Sequence, residues 1–134
     1  MAKGPKLAFR ILFFLYLAGM LFLCFWHFDS LSAASQTLLG IPLDKLMHFT
    51  MFLPFPVLAF LSFDPYTETV KRTLFFVGIT LVVGLVLAAG TEWGQATFTD
   101  YRKGDPLDFV ADAIGLVLSC AGVAVWDILK QKKR

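Results

Sequence analysis

The sequence predicts an all-α, polytopic membrane protein built as a four-transmembrane-helix bundle, and three observations carry that prediction. Hydrophobic residues fill 57% of the 134 positions and charged residues only 16%, and the mean hydropathy is +0.71, a balance foreign to soluble domains. Apolar runs about as long as a bilayer core is thick recur four times with few internal charges. Four spans are too few to close a β-barrel and strand-length alternation is absent, so the backbone polar groups have to be satisfied within helices.

The first span is predicted over about 7–28. It opens on Lys3, Lys6 and Arg10, whose long stem can snorkel to the interface, and closes on the amphipathic pair Trp26 and His27. Ser32, Ala33 and Ala34 would suit a signal-peptide cleavage site, but the apolar run is longer than a typical signal core, so the segment is kept as a helix. A polar connection follows, and Asp44 is the expected N-cap of a second span over about 45–63. Pro54 and Pro56 fall in its middle. They deprive two carbonyls of donors, so the helix should kink there, and the break should face protein rather than lipid.

The third span is predicted over about 73–98, long enough to tilt. Gly78, Gly84, Gly90 and Gly94 punctuate it, with close helix packing as their default explanation. The fourth is predicted over about 106–126. Asp105 as N-cap, Pro106 at the first helical position and Asp108 in the first turn mark its start. Ala111, Gly115, Ser119 and Gly122 give it a stripe of small residues. With no internal repeat, residues 1–134 form a single domain.

Orientation follows from the basic residues. Lys3, Lys6, Arg10, Lys71, Arg72, Lys130, Lys132, Lys133 and Arg134 fall on one side of this four-span arrangement and only Lys45, Arg102 and Lys103 on the other. The positive-inside rule then places both termini in the cytoplasm and the first and third connections outside. The net charge of +2 gives no support to nucleic-acid binding. Cys24 and Cys120 fall in opposite leaflet halves, too far apart for a disulfide, and read as small buried apolar residues.

The acidic residues are distributed unevenly. Asp29, Asp44, Glu92, Asp100, Asp105, Asp108 and Asp112 lie on the outer side or in the outer half of a helix, seven of the ten in the chain. At about 1.5 Å per residue, His48 lies about 6 Å below Asp44, Asp112 about 10 Å below Asp105, and Glu92 similarly deep. Three helices thus bring ionisable groups to one membrane level. An intramembrane carboxylate costs about 2.5–3.5 kcal/mol on insertion scales, so such groups usually face a cavity and have a function. Glu92 and Asp112 are the least explained by local structure, whereas Asp44, Asp105 and Asp108 have helix capping and the helix dipole as an alternative, and Lys45 has interfacial anchoring.

Three chemistries remain open for this constellation. His48, Glu92, Asp108 and Asp112 could hold a divalent metal, the one cofactor in view. Lys45 and Arg102 could neutralise the carboxylates in an ion-paired network that binds a polar headgroup, with the Arg102 guanidinium gripping a phosphate or carboxylate. His48 could also be a hydrogen-bonded structural group. Gln95, three residues beyond Glu92, is a further candidate for the same face, with Trp93 and Phe98 as apolar cover. No Ser-His-Asp order, phosphate-binding glycine loop, H-E-x-x-H motif or Cys pair is present.

Taken in order, Asp44-Lys45-x-x-His48-Phe49-x-x-Phe52, then Gly90-Thr91-Glu92-x-x-Gln95, then Arg102-x-x-Asp105-x-x-Asp108-x-x-x-Asp112-x-x-Gly115 resemble the VanZ-like family of small bacterial membrane proteins, over most of residues 44–115. The resemblance implies a multi-pass protein of the bacterial cytoplasmic membrane. Its founding relatives are associated with resistance to the glycopeptide teicoplanin, and no biochemical activity comes with it. Many relatives carry Asn near the end of the last motif, where this chain has Asp112.

The expected function is binding of an extracytoplasmic polar group, from a membrane lipid or a lipid-linked cell-wall precursor, by Asp44, Lys45, His48, Glu92, Gln95, Arg102, Asp105, Asp108 and Asp112. The alternative is an intramembrane enzyme acting on an envelope lipid, with His48 or Glu92 as general base and Asp108 or Asp112 as partner or metal ligand. Cation-coupled transport is disfavoured because four short helices offer little room unless a second copy of the chain joins them.

Overall fold

In the computed structural model, which describes residues 3–26, 37–63, 68–100 and 104–133 (side chains from residue 6), the chain is all-α apart from one minimal hairpin. Helix α1 (Lys3–Phe25) is followed by strands β1 (Thr37–Leu38) and β2 (Ile41–Pro42), then α2 (Leu43–Phe52), α3 (Pro54–Phe63), α4 (Val70–Phe98) and α5 (Pro106–Lys132). Lys6–Phe25, Leu43–Phe63, Val70–Phe98 and Pro106–Lys132 are each long and apolar enough to cross a membrane, so the four predicted spans are present and α2 with α3 make up one of them.

Helix α5 packs against α2, α3 and α4, while α1 lies mainly along α3 and touches α4. The core between them consists of Phe13, Met20, Cys24, Phe52, Phe55, Ala59, Ala88 and Leu116. Outward-facing positions are themselves apolar, among them Phe14, Phe75, Val86 and Leu118, the inversion expected when the solvent is lipid. Cys24 and Cys120 are buried, as anticipated. Arg10 donates from Nε to the Ser62 carbonyl at 3.1 Å and lies over the Phe63 ring, which ties the N-terminal part of α1 to the end of α3.

The proline break appears where the sequence places it. Pro54 and Pro56 supply no N–H, and the helix is interrupted at Leu53, whose own N–H still reaches the Phe49 carbonyl at 3.1 Å. The break faces protein: Phe52, Phe55 and Pro56 are buried, and the Tyr16 hydroxyl of α1 donates to the Met51 carbonyl. A loosened stretch of backbone is thus covered by a neighbouring helix, as lipid surroundings require.

The glycines divide into two groups. A Cβ on Gly84 would come within 2.7 Å of the Leu116 side chain, on Gly94 within 2.8 Å of the Phe25 ring, and on Gly115 within 2.7 Å of the Phe49 carbonyl oxygen. Those three mark close helix approach. Gly78, Gly90 and Gly122 have open space instead, so packing does not account for them.

Several boundaries shift from the sequence reading. Helix α1 runs Lys3–Phe25 rather than 7–28, α4 starts at Val70 with the Thr69 hydroxyl as its cap, and α5 continues to Lys132 rather than stopping at 126. Asp44 is not the N-cap of its helix. Pro42 holds that position without a side-chain hydrogen bond, and Asp44 sits in the first turn. The cause is the hairpin, which pairs Thr37 with Pro42 and Leu38 with Ile41 through a turn at Leu39 (φ 54°) and Gly40 (φ 77°) and delivers the chain directly into α2. His27, Asp29, the Ser32–Ala34 stretch and Arg102 lie outside the described residues.

Candidate functional site

Three helix segments meet at one end of the bundle. Helix α2 contributes Asp44, Lys45 and His48 from its first two turns. Helix α5 contributes Asp108 and Asp112 from its own beginning, with Asp105 capping it. Helix α4 contributes Glu92 near its C-terminal end. Spacings of three and four residues keep each set on one helix face. Gly115 decides how near the faces come, because the absent side chain lets α5 approach the α2 backbone at Phe49, one residue beyond His48.

The outer tier is an ammonium among carboxylates. Lys45 Nζ donates to Asp105 Oδ2 at 2.5 Å, to Asp44 Oδ2 at 3.1 Å and to Asp108 Oδ1. Asp105 also does the predicted capping, its Oδ1 accepting from the Leu107 N–H at 2.9 Å. The hydrogen bond from Lys45, reinforced by the one from Leu107, holds the Asp105 carboxyl below the usual range for an aspartate. Lys45 is therefore a cross-helix ion-pair partner rather than a simple interfacial anchor.

The inner tier is buried. His48 is 1% exposed, Asp112 0% and Glu92 9%. His48 Nδ1 lies 3.0 Å from Asp112 Oδ1 and 3.6 Å from Glu92 Oε1, and its Nε2 lies 3.6 Å from Asp108 Oδ2. Only the first is a hydrogen-bond distance, the others being close charge approaches. Glu92 Oε2 accepts the Asp105 backbone N–H at 3.2 Å, which links α4 to the start of α5. Among the described residues, His48 Nε2, Glu92 Oε1 and Asp112 Oδ2 are buried with no hydrogen-bond partner, a costly arrangement for polar atoms unless something else engages them.

Of the sequence-predicted residues, Asp44, Lys45, His48, Glu92, Asp105, Asp108 and Asp112 come together. Gln95 does not join them: its amide donates to the Cys24 carbonyl at 2.7 Å and so joins α4 to α1. Arg102 falls outside the described residues. Trp93 is exposed and packs edge-on with Phe98 on the outer face of α4. The proposed metal set separates into two overlapping triads that share the imidazole, His48 with Glu92 and Asp112, and His48 with Asp44 and Asp108. Within each triad one ligand atom per residue lies within 4.8 Å of the others.

The sequence reading overlooked Asp127. It is 5% exposed, at the opposite end of α5, where it accepts from the Thr73 hydroxyl at 2.6 Å and the Gln131 amide at 2.9 Å. Placing the helix end at 126 assigned this residue to a tail. Continuing the Leu116, Cys120, Val123 stripe by one more turn would have found it on the buried face.

Two apolar grooves flank the charged cluster. One, of about 450 Å³, runs between α2 and α5 and is lined by Ile41, Leu46, Phe49, Val110, Ile114 and the Lys45 side chain. The other, of about 380 Å³, lies against α4 and the start of α5, where Ala89, Trp93, Pro106 and Phe109 surround Glu92 and Asp105. Both put a lipid-like surface next to ionised groups.

Fold and site together define a multi-pass integral membrane protein with a buried histidine–carboxylate cluster at one end of its bundle. No protein-family model, curated protein or solved structure matches the chain.

Proposed function

We propose that this chain is a VanZ-like protein of the bacterial cytoplasmic membrane that binds the polar headgroup of an envelope lipid, or of a lipid-linked cell-wall precursor, at the extracytoplasmic end of its bundle. The observation that carries the reading is the juxtaposition of the charged cluster with two apolar grooves, which offers acyl chains and headgroup separate surfaces within one site. Five carboxylates, those of Asp44, Glu92, Asp105, Asp108 and Asp112, stand against one ammonium and one imidazole. Lys45 is already held by three of them, so the free capacity of the cluster is for accepting hydrogen bonds. That favours headgroups rich in hydroxyl or ammonium donors over a bare phosphate. A role in the response to teicoplanin belongs to the same proposal through the family resemblance.

Native mass spectrometry of the chain released from membranes with its lipids tests the reading. Bound lipid should be present on the wild type and absent from Asp108→Asn and from Arg102→Gln, each with its thermal unfolding retained. Unchanged lipid content in both variants would refute it. Orientation is tested separately with single cysteines at Gln36 and Lys103, which are expected to react with a membrane-impermeant maleimide from outside intact cells. Labelling only from the cytoplasmic side would reverse the topology.

A further inference from the structure

We infer that His48, Glu92 and Asp112 form a binding site for one divalent first-row transition-metal ion, with Asp108 as the outer partner of the imidazole. The acidic cluster alone would not carry this. The unpartnered oxygens do: Asp112, 0% exposed, and Glu92, 9% exposed, each have a buried carboxylate oxygen with no hydrogen-bond partner, Oδ2 and Oε1, beside the buried His48 ring. Two such oxygens and an imidazole gathered from three helices point to a cation that accepts several lone pairs at once.

The spacing fits an ion. Ligand atoms bound at about 2.0–2.2 Å to one metal stand about 2.8–3.6 Å apart when adjacent in octahedral or tetrahedral coordination. Asp112 Oδ1 and Glu92 Oε1 stand 3.0 Å and 3.6 Å from His48 Nδ1, so small rotations of these side chains would seat the ion. Imidazole and carboxylate donors together suit zinc or manganese(II).

The tautomer fits as well. With Nδ1 committed to the metal, the proton sits on Nε2, which faces Asp108 Oδ2 at 3.6 Å. Asp108 is in turn held by Lys45. A metal-bound histidine commonly donates its second ring N–H to a carboxylate, which fixes ring orientation and raises ligand basicity, and a shift of about 0.4 Å would bring this pair to hydrogen-bond distance. The orphaned Nε2 thereby acquires a reason for its position.

Charge points the same way. A divalent ion offsets the two buried carboxylates of Glu92 and Asp112, which share the His48 imidazole as their close counter-charge. Three protein ligands leave a further coordination position open, and one of the three, Glu92, lines an apolar groove.

The proposal stands apart from the lipid reading and is tested without lipid. The full chain, purified in detergent, delipidated and stripped with chelator, is titrated with zinc alone and with manganese(II) alone. Bound metal is then measured by elemental analysis after gel filtration. One ion per chain is expected for the wild type and for Asp127→Asn. Glu92→Gln and Asp112→Asn should lose stoichiometric binding, and Asp108→Asn should weaken it about 10–100-fold. Should the inner-tier variants not fold, cobalt(II) added to the wild type alone decides the matter, with visible d–d absorption saturating at one equivalent and lost on adding zinc. Absence of saturable binding of either ion, or binding undiminished in Glu92→Gln and Asp112→Asn, would overturn the inference. Metal binding that survives while no lipid co-purifies removes the headgroup reading alone.

Discussion

Replacing Lys45 with methionine is expected to destabilise the protein by about 2–4 kcal/mol. Methionine preserves the apolar stem that lines the α2–α5 groove, so the loss is that of the ammonium. Asp44, Asp105 and Asp108 then face one another without their shared cation, and Asp108, 6% exposed, has little access to water in exchange. Breaking a fully buried pair costs about 3–5 kcal/mol. The lower range applies because the Lys45 side chain is 18% exposed. The second substitution Asp108→Asn in the Lys45→Met background should recover part of the loss, since it removes the stranded charge. Unfolding of the three variants in detergent, followed by helical circular dichroism, measures this. A Lys45→Met change below about 0.5 kcal/mol, the scale of exposed ion pairs, would mean that the ammonium is solvated rather than shared.

Gly115→Ala should cost about 1–3 kcal/mol, the range for forcing extra volume into a packed interior, while Gly122→Ala on the same helix should be neutral or slightly stabilising. The contrast isolates close packing from helix propensity, because both substitutions make the same favourable change in backbone entropy. At Gly115 the new Cβ would stand 2.7 Å from a backbone carbonyl oxygen of α2, which cannot swing aside as a side chain can, whereas at Gly122 nothing lies within 4 Å. Because α2 has to shift away from α5 to admit the methyl group, Gly115→Ala should also lengthen the His48–Asp112 approach. Equal effects of the two substitutions would show that α2 and α5 are not in contact at this level.

The number and helical type of the membrane spans were legible in the sequence because hydropathy over about twenty residues is a strong signal. Depth was legible too. Counting residues from the helix starts puts His48, Glu92 and Asp112 at one level, and the structure brings carboxylate oxygens of both Glu92 and Asp112 within 3.6 Å of the His48 ring. Rotation about each helix axis was harder to read. Gln95 is three residues from Glu92, about 60° around an ideal helix, and that offset is enough to turn it to the Cys24 carbonyl of α1.

Asp before an apolar run is a common helix start, so the sequence by itself points to Asp44 as a cap. Residues 37–42, immediately before the helix, form a hairpin whose strands are two residues each, below the length at which alternation can be detected. Asp127 was missed for a related reason: amphipathic ends let a helix continue beyond its most apolar stretch, here to Lys132. The proline break, by contrast, was fully readable, since the missing N–H groups are a property of the residue itself.

Three separate helices deliver an imidazole and two carboxylates to one buried point, and an experimental structure of the chain in lipid nanodiscs, at a resolution that shows side chains, decides whether they do. The His48 ring is expected within about 4 Å of carboxylate oxygens of both Asp112 and Glu92, the span of a close charge approach. Glu92 separated from His48 and Asp112 by a helix diameter, about 10 Å, with its carboxylate directed to lipid or to another helix, would contradict it.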